Sequence, residues 1–487
     1  MLPSSFRLVI FTLLGLWGLC ISSAFCATFV GNTTATDQQI KKRISCLQAK
    51  DELRERTERY KQKRPFPNKR GKAIHYCCQA EEYHKNRSQQ HYQSQQDHAF
   101  HLDIGPYLNK NTTFDGSKLI INIASVREDS RLLLRQYQAT QKENELSSSA
   151  SNLPRVILTG KLEGQTSYRG TYISPRSGSI NFSGVELGTY VQSDSWVSGY
   201  MVLNYDPDEH RNGSRLFINR AFITIGNLSQ FPLYTSIGQV YVPFGRYSSL
   251  MVTTPVTQVL GRTRARTLTF GYQQTGSHMF HAEVYGFQGL TNNLFSSGNN
   301  QSNEWGTDIG YEFSDTTNDG GCMNGEVGTG YISNLADSQG IQATVFSNKE
   351  NLRYRVPALS VYCTLDIRPI VFLAEYIGAV KRFDVNDINF ANQGARPTAF
   401  HTEASCTFKV GSKSNSIGVG YGHTSQALAL GLPQDRYNVF YNINIWRNTN
   451  LALEYCHDVS YSVSAISARS NFLKSDNIAT AQFDLFF

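Results

Sequence analysis

From about Arg155 to Phe487, apolar and polar residues alternate in segments of roughly ten, each followed by a tight turn or a longer loop. Between Tyr437 and Ile445, the residues Tyr437, Val439, Tyr441, Ile443 and Ile445 share one parity, while Asn438, Asn442 and Asn444 share the other. A period of two puts neighbouring side chains on opposite faces of a strand, so one face can meet an apolar medium and the other water. Trp305, Thr307, Ile309, Tyr311 and Phe313 stand likewise against Glu304, Asp308 and Glu312. Phe400, Thr402, Ala404, Cys406 and Phe408 stand against His401, Glu403 and Lys409.

The alternation predicts sixteen strands, near 155–167, 180–193, 195–206, 214–226, 231–242, 264–275, 278–289, 304–315, 322–334, 357–367, 370–381, 397–410, 415–427, 434–446, 449–461 and 476–487. Connections at Asp194, Arg368–Pro369 and Arg447–Asn448 are tight, whereas 168–179, 243–263, 335–356 and 462–475 are long. A soluble β-sandwich also alternates, but nothing sorts its connections by length. Outer-membrane barrels have short periplasmic turns and long extracellular loops. The reading is an all-β fold: a transmembrane antiparallel β-barrel of about 16 strands over 153–487, surrounded by outer-membrane lipid. The even count returns both barrel ends to the periplasmic side. The closing stretch "TAQFDLFF" puts Phe487, Leu485, Phe483 and Ala481 on one face and Asp484, Gln482 and Thr480 on the other. It resembles the C-terminal strand, here ending at Phe487, by which the barrel assembly machinery recognises its clients.

The chain ahead of the barrel is different. Arg7, an apolar run from Leu8 to Cys20 and the small residues Ser22, Ser23 and Ala24 have the layout of a secretory signal peptide over 1–26. No later stretch approaches the roughly 18 consecutive apolar residues of a spanning helix, whereas barrel strands need only about 9–11 alternating ones. Residues 27–152 read as a periplasmic N-terminal region. Between Lys41 and Lys72 lie 13 basic and 4 acidic side chains, and Ile40, Ile44, Leu47 and Leu53 give a helical stripe that Pro65 and Pro67 end. This is a basic helix or short coiled coil, either set against anionic lipid or a periplasmic partner or simply solvated.

Cys77, His84, His91 and His98 then recur every seven residues, with His75, Cys78 and His101 beside them. Such ligands suit zinc, nickel or copper. Seven residues rise about 10 Å along a helix, so one ion cannot bridge two of them on one helix, and a polar linker is the competing reading. Any metal is unknown. Leu119–Ile123 predicts a short strand, Val126–Glu145 a helix, and "SSSASN" (147–152) a flexible linker.

Sixteen to eighteen strands leave an aqueous channel rather than a packed interior. Parity puts Glu163, Glu283, Asp308, Glu312, Glu403 and Glu454 on its wall. The stretch "GQVYVPFGRYSSLMVTTPVTQVLGRTRAR" (238–266) begins as a strand and continues into the third long connection, 243–263. Folded inward, that loop would narrow the channel and turn Arg246, Arg262, Arg264 and Arg266 toward the passage. Guanidinium groups bind carboxylates bidentately, which points to polycarboxylate solutes or their metal chelates. Packed on the extracellular rim instead, the same arginines would meet lipid phosphates.

That stretch, with "FDGSKLIINIASVREDSRLLLRQ" (114–136) and "RVILTGKLEGQ" (155–165), resembles the LbtU family of siderophore porins from intracellular gammaproteobacteria. The likeness runs from about residue 114 to the end of the chain. It implies an outer-membrane barrel with an N-terminal helical extension that takes up a ferric polycarboxylate siderophore without a TonB-type plug. TonB-dependent transporters use about 22 strands, and the 333 or so residues from Arg155 onward are too few for that. The segment 76–113, rich in Gln and His, departs from the family pattern.

The remaining composition adjusts this picture only slightly. The 26 Tyr and 28 Phe favour strands. A net charge of +7 in an exported chain without basic–aromatic interleaving gives no reason to expect nucleic acid. Nine cysteines are too few for a disulfide scaffold, and Cys363, Cys406 and Cys456 in strands read as small apolar residues. There is no G-x-S-x-G, and His457 and Asp458 have opposite parity, so no enzyme and no cofactor are expected. A general diffusion porin and a surface adhesin are the alternatives to a siderophore channel, and the oligomeric state is not legible.

Overall fold

A computed structural model describes residues 101–105, 108, 120–145, 154–171, 177–205, 215–293, 304–316, 322–346, 351–462 and 475–487. The signal peptide, the basic segment, Cys77, Cys78, His84, His91, His98 and the linker 147–152 lie outside them. In chain order come strand β1 (His101–Ile104), helix α1 (Glu128–Glu145) and strands β2 (Arg155–Thr171), β3 (Ser177–Gln192), β4 (Val197–Tyr205), β5 (Leu216–Gly226) and β6 (Leu233–Tyr241). After helix α2 (Val256–Gly261) follow β7 (Arg264–Gln273), β8 (His278–Gln288), β9 (Glu304–Thr316) and β10 (Cys322–Ile332). Helix α3 (Gln339–Thr344) leads to β11 (Ala358–Ile367), β12 (Ile370–Ala379), β13 (Thr398–Val410), β14 (Lys413–Ser425), β15 (Asp435–Trp446), β16 (Thr449–Val459) and β17 (Asp476–Phe486).

Strands β2 to β17 occupy the sixteen predicted segments, each antiparallel to the next. The ladder closes when β17 pairs with β2, from Lys161↔Phe486 to Thr171↔Asp476. Closure leaves no free edge in lipid, where unpaired backbone groups are not tolerated. The first hairpin differs from expectation: 168–179 was read as a loop, yet Arg169↔Ser177 still pair. Backbone pairing needs no apolar pattern, so the ladder continues where the side chains turn polar.

Outward positions are apolar and exposed, as in Ile223, Ile225, Ile237, Leu268, Phe270, Val284, Ile309, Val361 and Val439. Inward neighbours such as Thr224, Ser236, Thr269, Glu283, Asp308, Ser360 and Asn438 are polar and buried. An apolar outside over a polar inside inverts a soluble protein and is the surface of a bacterial outer-membrane barrel. No helix among the described residues is long and apolar enough to cross a membrane. Cys363 and Cys456 are free thiols, whereas Cys406 is disulfide-bonded rather than a simple apolar filler.

Two features of the seam were not legible. Strand β1 runs parallel to the first residues of β2, His101↔Arg155 to Ile104↔Leu158, occupying the edge that β17 leaves uncovered. Phe487 sits between the two: its N–H donates to the Gly160 carbonyl at 3.0 Å and its carbonyl accepts from the Gly160 N–H at 2.8 Å. A Cβ at Gly160 would come 2.2 Å from the Phe487 ring.

Gly238 in β6 is constrained by both conformation and space, with φ +149°. A Cβ there would lie 2.2 Å from the Ala221 carbonyl oxygen, a backbone atom that cannot yield. Gly238→Ala is expected to destabilise the barrel by about 1–3 kcal/mol, seen as a lower urea midpoint in detergent and a smaller heat-modifiable fraction on gels.

Candidate functional site

Two segments enter the interior and bond to its wall. One is the third long connection, 242–263, and the other is residues 120–135, ahead of the barrel in sequence. We call the second the strap.

The loop folds inward because the wall supplies acceptors for its backbone. The Arg246 N–H donates to Glu375 Oε1 at 2.6 Å and the Leu250 N–H to Glu403 Oε2 at 2.9 Å. Val252 and Thr253 N–H donate to Glu454 Oε2 at 2.5 and 3.0 Å. Asn442 Nδ2 donates to the Leu250 carbonyl at 2.7 Å, and Arg436, paired with Asp458, donates to the Thr254 carbonyl at 3.1 Å. The apolar run fills the space between: Leu250 and Met251 pack with Val371, Leu373, Phe440 and the strap's Ile120 and Ile123.

Ahead of the strap in sequence, the Leu108 N–H donates to Thr159 Oγ1 at 3.3 Å at the periplasmic end. The strap pairs with the loop: Asn122 N–H donates to the Ser249 carbonyl and Ser249 N–H to the Asn122 carbonyl, each at 3.0 Å. Ser125 and Arg127, both with φ 57°, turn the chain into α1. The helix descends to the periplasmic turns, where Gln136 Nε2 donates to the Ser195 carbonyl at 2.8 Å. Leu133 and Leu134 pack on Leu228, Tyr234 and Met279.

The strap's charges meet the wall. Arg127 Nε lies 3.0 Å from Glu283 Oε1, Nη1 lies 3.2 Å from Glu326 Oε1 and 3.5 Å from Glu312 Oε1, and Nη2 lies 3.1 Å from Gln273 Oε1. Glu128 pairs with Arg220 at 2.8 Å, and Asp129 accepts from the Ser236 hydroxyl. Burial raises the Glu128 carboxyl to about 7, against the downward pull of Arg220. Burial likewise raises Asp129 to about 6, against the Ser236 hydrogen bond.

The wall carboxylates expected from parity, Glu163, Glu283, Asp308, Glu312, Glu403 and Glu454, all point inward and are buried. They do not line water; Glu283, Glu312, Glu403 and Glu454 hold the two inserted segments. The four arginines are not gathered round a passage. Arg246 is buried and pairs with Glu326 at 2.7 Å. Arg262 lies over the Tyr241 ring, 4.6 Å from its centroid, and donates to Gln339 Oε1 at 3.1 Å. Arg264 donates to Asn219 Oδ1 at 2.7 Å. Arg266 is exposed and shares the outward parity of Leu268 and Phe270. Strand β7 begins at Arg264, and strand alternation therefore sends Arg266 outside.

The strap corrects the expected boundary as well: residues 120–134 were read as periplasmic, yet they are buried in the barrel. Charge-dense "SVREDSR" (125–131) looks solvated, and its partners lie about 100 to 200 residues away, beyond local pattern. Glu326, Glu375 and Gln273 were missed for the same reason. Among the described residues no group of His, Cys, Asp and Glu has metal-binding geometry.

Two outcomes test this interior. Glu454→Ala leaves two loop N–H groups without their acceptor and is expected to cost about 1–3 kcal/mol, with new trypsin cleavage between 246 and 262 in the folded barrel. The raised carboxyls at 128 and 129 give docking a pH dependence. Their contribution is complete below the ordinary carboxylate values and is lost as the pH rises through about 6 and about 7. Hydrogen exchange of 120–134, corrected for intrinsic rate, is therefore expected to show weaker protection at pH 8 than at pH 5.

Among solved structures, the outer membrane channel DcaP of Acinetobacter baumannii aligns with TM-score 0.45 at 13% identity, over 68% of this chain and 97% of that one. An anion-selective porin from Comamonas acidovorans aligns with TM-score 0.47 at 11% identity, over 68% and 99%. The barrel assignment rests on its own ladder and surface rather than on these distant alignments. No family model matches the chain. A UPF0422 protein of Legionella pneumophila (strain Lens) is 36% identical over 378 residues, 74% of this chain and 69% of the relative. A UPF0422 protein of Coxiella burnetii (strain RSA 493 / Nine Mile phase I) is 58% identical over 480 residues, 96% of this chain and 98% of the relative. With that identity across nearly the full length of both, the chain belongs to the UPF0422 family.

Proposed function

We propose that this porin-like barrel is a solute channel held shut by its own strap, and that the solute is a ferric polycarboxylate siderophore. The observation that carries the channel reading is how the lumen is filled. The wall is a sixteen-stranded cylinder, and the strap is held inside it by buried hydrogen bonds and ion pairs as well as by apolar packing on wall and loop side chains. Such a cylinder encloses an aqueous passage once the strap is out. The strap is not the globular plug of a 22-stranded transporter, and the proposed uptake does not depend on one.

The arginine loop no longer supports a polycarboxylate, because Arg246 is spent on Glu326 and Arg266 faces outward. Support comes from the resemblance to siderophore porins and from the extracellular mouth. There Arg353, Lys381, Arg382 and Arg396 are exposed. Arg382 Nη1 and the Arg396 backbone N–H both donate to Gln426 Oε1, Lys381 lies 4.7 Å from the Tyr354 ring centroid, and Arg353 is paired with Asp384 at 3.6 Å, so basic side chains outnumber acidic ones there. A patch of this sign raises the local concentration of anionic chelates in a salt-dependent way.

The test is influx of a ferric polycarboxylate chelate and of a neutral sugar into proteoliposomes. Replacing Arg353, Lys381, Arg382 and Arg396 together by Ala is expected to lower chelate influx several-fold at low salt while leaving sugar influx and heat-modifiability unchanged. Unchanged chelate influx would remove the siderophore reading. Free sugar flux through the native protein would indicate a general diffusion porin, and absence of all flux an adhesin.

A further inference from the structure

Arg127 is held in a way that an incidental ion pair is not. Each of its three guanidinium nitrogens has its own acceptor: Nε on Glu283, Nη1 on Glu326 with Glu312 behind it, and Nη2 on Gln273. Glu283 and Glu326 are each 1% exposed. The four acceptors come from β7, β8, β9 and β10, so the cage belongs to the barrel wall, while the cation belongs to a non-strand segment with contacts at the periplasmic end on either side of it in sequence, at Leu108 and Gln136. Arg127 also carries a left-handed backbone, φ 57°, a conformation that disfavours a non-glycine residue and is tolerated because the cage fixes the side chain.

Lifting the strap removes Arg127 but leaves Glu283, Glu312 and Glu326 behind. Among the described residues, Arg246 is the cation of the loop that pairs with this cage, and it reaches Glu326. The neighbourhood has further acceptor capacity: Glu283 Oε2, Asp308 Oδ1 and His281 Nδ1 are buried without a hydrogen-bond partner. Arg246 stays on Glu326, the Tyr234 hydroxyl on Glu283 and the His281 ring near Glu312, but these buried carboxylates lose the guanidinium that links them. They must take up protons or another cation. A planar arrangement of acceptors around three donors favours a guanidinium over a compact ammonium, and an ammonium over an alkali ion.

We propose that Arg127 is a tethered occupant of a cation site, and that a guanidinium- or amine-bearing solute takes its place in the cage of Glu283, Glu312, Glu326 and Gln273 when the strap withdraws. The strap then acts as a competitor that the solute displaces, and the opened channel prefers cations. The inference does not rest on the chelate reading and runs against free passage of a bare polyanion, which an emptied acidic cage repels; cage occupancy is read from conductance and ion preference, chelate transport from iron influx.

The test uses the full-length protein in planar bilayers with KCl, and agmatine as the guanidinium probe. The native protein is expected to open with agmatine at least ten-fold more effectively than with the same concentration of added KCl. Arg127→Ala is expected to conduct without agmatine and to show a cation-preferring reversal potential. Adding Glu283→Gln and Glu312→Gln to that variant is expected to abolish the preference. Replacing 120–134 by a Gly/Ser chain of equal length provides a second route to the empty cage, and heat-modifiability confirms that each barrel is folded. The proposal is overturned if both strap variants fold but stay silent, if they open with anion preference, or if agmatine acts no better than KCl on the native protein.

Discussion

A carboxylate inside a packed protein must have a partner, and this barrel places many of them on its inner face. Everything within the cylinder follows from meeting that demand. Glu375, Glu403 and Glu454 accept the backbone N–H groups of the third long connection, which folds inward where another loop would stand out in solvent. Glu283, Glu312 and Glu326 take Arg127 and with it the strap. Breaking such a buried pair by removing one partner costs about 3–5 kcal/mol, so the acidic wall and its two basic or N–H-rich inserts specify each other.

The opposite face obeys a different medium. Lipid permits neither charge nor open backbone, so the outside is apolar and the ladder closes on itself through β2 and β17. Strand β1 extends that closure below Phe487. The helix at the strap's far end reaches the periplasmic turns, whereas the loop 242–263 is tied at both ends to the strands that it joins.

How much of this was legible depends on which medium did the selecting. Lipid acts on every second residue, so the strands, and the inward parity of Glu283 or Glu454, could be read locally. The partners of those carboxylates could not. Arg127 meets Glu326 across about 200 residues of chain, and nothing near Arg127 marks it as buried. Its charge-rich surroundings read as a helix of the periplasmic N-terminal region. The arginine loop shows the reverse failure: Arg266 was assigned to the passage by its neighbours in sequence, although its parity with Leu268 and Phe270 already placed it outside. The entry of the strap was illegible for the same reason, since strand number fixes the cylinder's width and says nothing about which other part of the chain enters it.

The central claim, that the strap sits inside the barrel against the inward loop, is tested most directly by proximity in the native membrane. Asn122 and Ser249 face each other across a two-residue antiparallel bridge. With cysteine at both positions, the account predicts a disulfide that forms in intact outer membranes and is absent from either single variant. Two free thiols, with the one at 122 labelled by a periplasmic reagent as readily as in an unfolded chain, would contradict it.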